Sequence, residues 1–271
     1  MKPGLARTLT PQAVSIREKE VSVKKVFIGL RRFDMDNLST RLLVWVAVCA
    51  FLFITLAVFM LIFPRVIPFG LFELWKNNDF GTVWLGIKKV WWIFVWGAGL
   101  TSIRAFTTSN EKTENYFAES LFAVDTGRSL VAGLFEEMSF RWLIFFWGIV
   151  GAKIGNFLLL GIPKWLYLKL VGPVVNFFTF GKIHGLLFHP AGWYVGSALI
   201  AANAKFRDGH KYLGAFGYFN SWFCGFIMFW LMFRYGLLTA ITIHALYDFV
   251  IFTVIYVDRV LERSFSKGIR R

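Results

Sequence analysis

The chain has 271 residues, 57% of them hydrophobic, and a mean hydropathy of +0.58. Soluble domains run at roughly 45–50% apolar, so a soluble globular protein is excluded and a membrane protein expected. The net charge of +14 does not point to nucleic acid, because the basic residues crowd the two ends: Lys2, Arg7, Arg17, Lys19, Lys24, Lys25, Arg31, Arg32 and Arg41 at one, Arg259, Arg263, Lys267, Arg270 and Arg271 at the other.

Residues 1–41 read as a basic cytoplasmic arm. Its stretch VSVKKVFIGLRRF is either an amphipathic segment on the membrane surface or a disordered basic tail, and the two readings weigh equally. No short apolar core with a small-residue cleavage site precedes the first long apolar run, so that run is expected to be a retained signal-anchor. It covers Leu42 to Phe63, carries no charge and is long enough to cross a hydrocarbon core of about 30 Å. A polar connection over Pro64 to Gly81 leads to a second span, Val83 to Ile103, whose Lys88 and Lys89 can snorkel to an interface. Arg104 to Arg128 carry mixed charge and read as an extramembrane loop or short helix.

Ser129 to Ala152 form the third span. Asn156 to Leu170 read as a span or re-entrant piece broken by Gly161 and Pro163, and Val171 to Phe188 follow it. His189 to Tyr212 read as a short span ending in a polar turn at Lys205, Arg207, Asp208, His210 and Lys211. A closing pair covers Gly214 to Phe233 and Gly236 to Val257. Open strands would leave backbone groups unpaired in lipid. The expected fold is therefore all-α, a polytopic integral membrane bundle of about six to eight transmembrane helices. The expected organisation is an arm (1–41), N-terminal transmembrane helices with a loop (42–128), a second membrane domain (129–257) and a basic cytoplasmic tail (258–271). Basic flanks mark the cytoplasmic side and attract anionic headgroups. An integral protein of the plasma (inner) membrane is thus expected, with both termini on the cytoplasmic side and an even number of crossings. Cys49 and Cys224 lie in apolar runs and read as small buried hydrophobes, not as a disulfide or metal pair. The tryptophans and phenylalanines read as lipid-facing bulk and interfacial belts.

Against this background a few ionisable residues stand out: Glu136, Glu137 and Arg141 in the third span, His184 in FFTFGKIHGLLF, and His244 and Asp248 in the last span. An Asp, Lys or Arg at a helix centre costs roughly 2.5–3.5 kcal/mol to insert, and a Leu or Phe returns only about 0.3–0.6 kcal/mol. Such residues are functional candidates by default. Glu137 and Arg141 are four apart and share a helix face. Glu136 lies about 100° round the helix from Glu137. One carboxylate is therefore expected to be structural and the other free for chemistry. His244 and Asp248 are also four apart. His189 and His210 read as interfacial.

Glu136-Glu137-x-x-x-Arg141, Phe180-x-x-x-His184 and His244-x-x-x-Asp248 resemble the EExxxR, FxxxH and HxxxN/D signatures of the CPBP intramembrane proteases, which include type II CAAX prenyl endopeptidases and bacteriocin-processing or immunity proteins. The resemblance covers roughly Ser129 to Val257. It implies Glu136 as the general base on a water with His184 as its partner. His244 and Asp248 would stabilise the oxyanion, with Glu137, Arg141 and Phe180 in support. An apolar setting favours a carboxyl working as a base, and preorganised donors at an oxyanion are worth about 3–4 kcal/mol each. An ionised Asp only accepts, so Asp248 either stays protonated or orients His244. The implied substrates are peptides or lipidated proteins, with CAAX-type C-termini or leader peptides. A metal-free mechanism with no cofactor is preferred over zinc held by Glu136, His184, His244 and Asp248. The sequence has no HExxH, GxGD or rhomboid-like GxSG. The other readings are a non-catalytic scaffold or immunity protein of the same family, binding lipidated or hydrophobic peptides, and a small proton-coupled transporter.

Overall fold

The computed structural model describes residues 26–28, 31–33, 38–75, 80–107, 122–211 and 214–268. Residues 1–25 and 108–121, most of the expected arm and of the mixed-charge loop, lie outside the described residues, as do 269–271. Two compact units are present, Met1–Leu52 and Phe53–Arg271. The first contains a hairpin of two antiparallel strands, β1 (Val26–Ile28) and β2 (Arg31–Phe33), in the register Val26 opposite Phe33. The described residues of the VSVKKVFIGLRRF stretch are therefore extended.

The other regular elements among the described residues are helices, as lipid demands of a backbone with no water to bond. Helix α1 (Leu38–Ile62) runs from the first unit into the second and covers the expected first span. It is followed by a short 3-10 turn, Glu73–Trp75, then α2 (Phe80–Val90) and α3 (Trp92–Thr107). Next comes α4 (Phe122–Glu136), which passes without a break through a π-helical stretch, Glu137–Ile144, into α5 (Phe145–Leu158). Two left-handed residues, Leu160 at φ 51° and Gly161 at φ 90°, end that helix. Beyond them α6 (Ile162–Leu166), a second π stretch (Tyr167–Val171) and α7 (Gly172–Phe178) turn away by 115°. The break expected at Gly161 and Pro163 is thus a sharp bend: glycine accepts the positive φ, and Pro163 sits in the first turn of the new helix, where its missing N–H costs nothing. Short α8 (His184–Leu187), then α9 (Trp193–Gly209), α10 (Gly214–Tyr235) and α11 (Leu237–Gly268) complete the chain.

Among the described residues two helices are long and apolar enough to cross a membrane, Leu43–Ile62 and Leu237–Asp258, or three elements if the bent pair Ser129–Leu158 and Ile162–Phe178 counts as one span. This is fewer than the six to eight read from the sequence. The apolar stretches are present, but turns at Trp91 and Leu159–Gly161 divide them into shorter helices. The last helix also runs on to Gly268, so most of the expected basic tail continues it.

The helices of the second unit pack through small residues, the usual device where lipid removes the hydrophobic drive for association. A Cβ on Gly133 of α4 would lie 2.9 Å from the Ala245 amide nitrogen of α11, and one on Gly97 of α3 would meet the Tyr247 ring at 2.6 Å. Residues 83–103 and 129–257 lie in the same compact unit. Its core holds Phe145, Phe146, Ile149, Leu199, Phe229, Leu231 and Ile243. The outer faces are apolar as well: Phe157 is 80% exposed and Trp165 63%. In water such a surface would be an aggregation liability; against acyl chains it is the ordinary exterior.

Candidate active site

Glu136 is the last residue of α4 and Glu137 the first of the π stretch. π-bulges are rare and cluster at functional sites. The two neighbouring carboxylates face different surroundings. Glu137 is fully buried and its Oε1 accepts from His244 Nδ1–H at 2.6 Å, while Arg141 Nη1 lies 3.4 Å from the same oxygen. The guanidinium carbon sits 3.8 Å above the Phe206 ring and 5.7 Å from that of Phe229. Glu137 is thus locked among His244, Arg141 and aromatic rings. Glu136 is 26% exposed and makes no such closed pair.

Around Glu136 Oε2 stand two imidazoles, His244 Nε2 at 3.8 Å and His210 Nε2 at 3.9 Å. Both separations exceed a direct hydrogen bond and leave room for a water off the line joining the groups. The second ring nitrogen of each histidine is already committed. That of His244 is bonded to Glu137. His210 Nδ1 lies 2.8 Å from the Phe206 carbonyl oxygen, and a carbonyl can only accept. His210 Nδ1 therefore donates to that carbonyl, and its Nε2 faces Glu136. Asp248 Oδ2 is 3.7 Å from His244 Nε2, one helical turn further along α11.

Phe206 is the aromatic centre of the cluster. Its ring lies 4.6 Å from that of His210, 6.0 Å from that of His244 and 5.6 Å from that of Phe140. Just outside, at the C-terminal end of α9, Arg207 donates to Asp208 at 2.9 Å, Lys211 is 3.8 Å from the same carboxylate, and Tyr218 donates to it. The Arg207 hydrogen bond, its charge and that of Lys211 hold the Asp208 carboxyl below the usual carboxylate range.

Two sequence assignments need correction. His184 is exposed, its ring packs 4.8 Å from that of Phe188, and among the described residues it makes no ion pair with Glu136. Its short helix lies against the other end of α9, where Leu187 touches Gly196 and takes a hydrogen bond from Tyr167. At 1.5 Å per residue, the fourteen residues from Gly196 to His210 put about 20 Å between those two ends. Phe180 is 86% exposed with φ 52°, so its ring supports nothing in this cluster. The second correction concerns His210, read as interfacial and found beside Glu136. Phe206-Arg207-Asp208-Gly209-His210 has the same F-x-x-x-H spacing as Phe180 to His184. That signal was present in the sequence, but its four charged neighbours, Lys205, Arg207, Asp208 and Lys211, made it read as a polar turn, whereas FGKIH lies in an apolar run. His189, the remaining histidine, packs on Phe69 and Phe233 away from these carboxylates.

The zinc set Glu136, His184, His244 and Asp248 does not converge, because His184 stands apart. Among the described residues no group of three or more His, Cys, Asp or Glu is disposed to hold a metal ion. Neither Cys49 nor Cys224 is in a disulfide.

Removing Arg141 should be costly. Breaking a buried ion pair by deleting one partner costs about 3–5 kcal/mol, since the other charge stays buried. Arg141→Leu is expected to lower the thermal unfolding midpoint in detergent markedly, whereas Arg207→Leu, whose Asp208 partner is 37% exposed, should barely move it. Intrinsic tryptophan fluorescence during heating reads both.

No family model matches the chain, and neither a curated protein nor a solved structure matches it.

Proposed function

We propose that the protein is a membrane-embedded endopeptidase in which Glu136 activates a water. The observation that carries this reading is one accessible carboxylate placed 3.8 and 3.9 Å from two imidazoles whose other nitrogens are held by the protein. Glu136 takes the proton from the water as the hydroxide adds to the scissile carbonyl, and His210 Nε2 accepts a second hydrogen bond from that water, fixing its orientation. Glu136 then returns the proton to the leaving amine. Such general base catalysis is worth about 10²–10⁴-fold.

His244 faces Glu136 and Asp248 from one nitrogen and Glu137 from the other. When both of its nitrogens are protonated, Nε2–H is the donor to the oxyanion, and Glu137 with Arg141 keeps the ring from turning. Asp248, as an acceptor, orients His244 rather than donating to the oxyanion itself. With His210 in the second signature, the three CPBP-like motifs fall on Glu136, Glu137 and Arg141, on Phe206 and His210, and on His244 and Asp248. That order and that convergence support the protease reading over a scaffold or a proton-coupled transporter. A transporter's carboxylates need no water held between two fixed imidazoles.

The substrates that suit the site are peptides or lipidated proteins presented from the bilayer. We place both termini on the cytoplasmic side of the plasma membrane, from the basic residues at each end. Helices α2, α3 and α10 are counted with α1, α11 and the bent pair among the elements entering lipid, since Leu85, Val95 and Phe219 on their surfaces are exposed.

The test is cleavage of quenched leader-type and CAAX-type peptides by the purified protein in detergent, with a chelator in one arm. Cleavage should persist undiminished in the chelator. Loss with chelator and recovery with Zn²⁺ would replace the glutamate mechanism by a metal one. Proton flux in liposomes without any peptide cleavage would favour the transporter.

A further inference from the structure

The buried pair that holds His244 is itself incomplete. Arg141 is fully buried, yet its Nε, Nη1 and Nη2 have no hydrogen-bond partner, and Glu137 Oε2 has none either. Polar groups left in that state cost about 1–3 kcal/mol each. On α9, facing them, is Asn203, also fully buried. Its Nδ2 donates to the Trp222 carbonyl at 2.8 Å. A carbonyl only accepts, so the amide orientation is settled and Oδ1 is the atom turned the other way. Asn203 Oδ1 is likewise buried without a partner.

Donors without an acceptor and an acceptor without a donor thus occur side by side. They meet at Gly225 of α10. A Cβ built there would overlap Asn203 Oδ1 and would lie 3.2 Å from Arg141 Nη2. The absent side chain is what lets α9 and α10 close on the guanidinium. The geometry points to Asn203 as a positioning residue: its Oδ1 accepts from Arg141 Nη2, directly after a small shift or through one buried water, and so sets where Arg141 holds Glu137 and, through Glu137, His244. The line of contact runs from Trp222 through Asn203, Arg141 and Glu137 to His244, linking α10, α9, the π-helical stretch Glu137–Ile144 and α11. This rests on the protease reading only for its catalytic consequence; the hydrogen bonds exist or not independently of cleavage.

Two readouts keep those apart. The first is the downfield Nδ1–H proton resonance of His244 in histidine-labelled protein, assigned by its loss in His244→Asn. It should disappear or move upfield in Asn203→Leu and be retained in Asn203→Asp, which keeps an oxygen facing Arg141. It should also be retained in Leu199→Ala, a buried change on the same helix that leaves the polar line intact. A wild-type resonance in Asn203→Leu overturns the assignment, as does equal loss in Leu199→Ala. The second readout is kinetic. Asn203→Leu should lower kcat about tenfold, the lower range for residues that orient a catalytic shell, at unchanged KM, with recovery in Asn203→Asp. A rise in KM alone would overturn it. Failure of the wild-type protein to cleave would strike the proposed function, while the resonance would still decide the role of Asn203.

Discussion

Glu136→Gln should lower kcat for a cleaved peptide by about 10²–10⁴-fold, the usual worth of a positioned general base, while the protein still folds. The amide is nearly isosteric and remains in the same half-open position, 26% exposed, so no buried charge is stranded by the change. What disappears is the capacity to take a proton from water. KM should stay close to its wild-type value, because an interaction made only in the transition state appears in kcat and not in ground-state binding. Glu137→Gln is a different experiment. It removes a fully buried anion from between His244 and Arg141 and should show first as lost thermal stability. Equal and purely kinetic effects of the two substitutions would contradict the division of labour between these neighbours.

The second large effect separates the two F-x-x-x-H histidines. His210→Ala is expected to cost about 10²-fold or more in kcat, because it removes the imidazole 3.9 Å from Glu136. His184→Ala should leave kcat within about twofold, the size expected of an exposed side chain away from the chemistry. Activity measured on the two purified variants beside wild type decides it. Loss in His184→Ala with full activity in His210→Ala would reverse the assignment.

Much of this arrangement was legible in the sequence. The four-residue spacing of Glu137 and Arg141 gave the buried ion pair, and the offset of Glu136 separated a locked carboxylate from an accessible one. The break at Gly161 and Pro163 was visible because both residues have backbone demands that a continuing helix cannot meet. Three things were not legible. The choice between Phe180–His184 and Phe206–His210 depends on which end of α9 lies against α4, a packing fact that no local pattern carries. The bond from His244 to Glu137 joins residues 107 positions apart, and spacing along one helix says nothing about which neighbour a side chain meets across a bundle. The lengths of the individual helices were not legible either: among the described residues two or three elements are long and apolar enough to cross by themselves, because residues such as Leu160 and Phe180 take positive φ and end the apolar helices.

Asp248 shows the same limit. Its position four residues after His244 placed it on the right face, and either a donor or an orienting role fitted that spacing. At 3.7 Å from His244 Nε2 and 23% exposed, it stands beside the imidazole without being bonded to it, which fits orientation of the ring by charge. His244 thus has carboxylates near both nitrogens, the buried and bonded Glu137 at Nδ1 and the more open Glu136 and Asp248 at Nε2.

The most direct measurement of the central claim is a double-mutant cycle on kcat between Glu136 and His210. Residues that act on one water form a unit, and losses within such a unit are far from additive. Glu136→Gln with His210→Ala is predicted to be no slower than Glu136→Gln alone, within about threefold. A double variant slower than either single by the product of their separate losses would mean that the two side chains work on different steps, and the shared water would have to be given up.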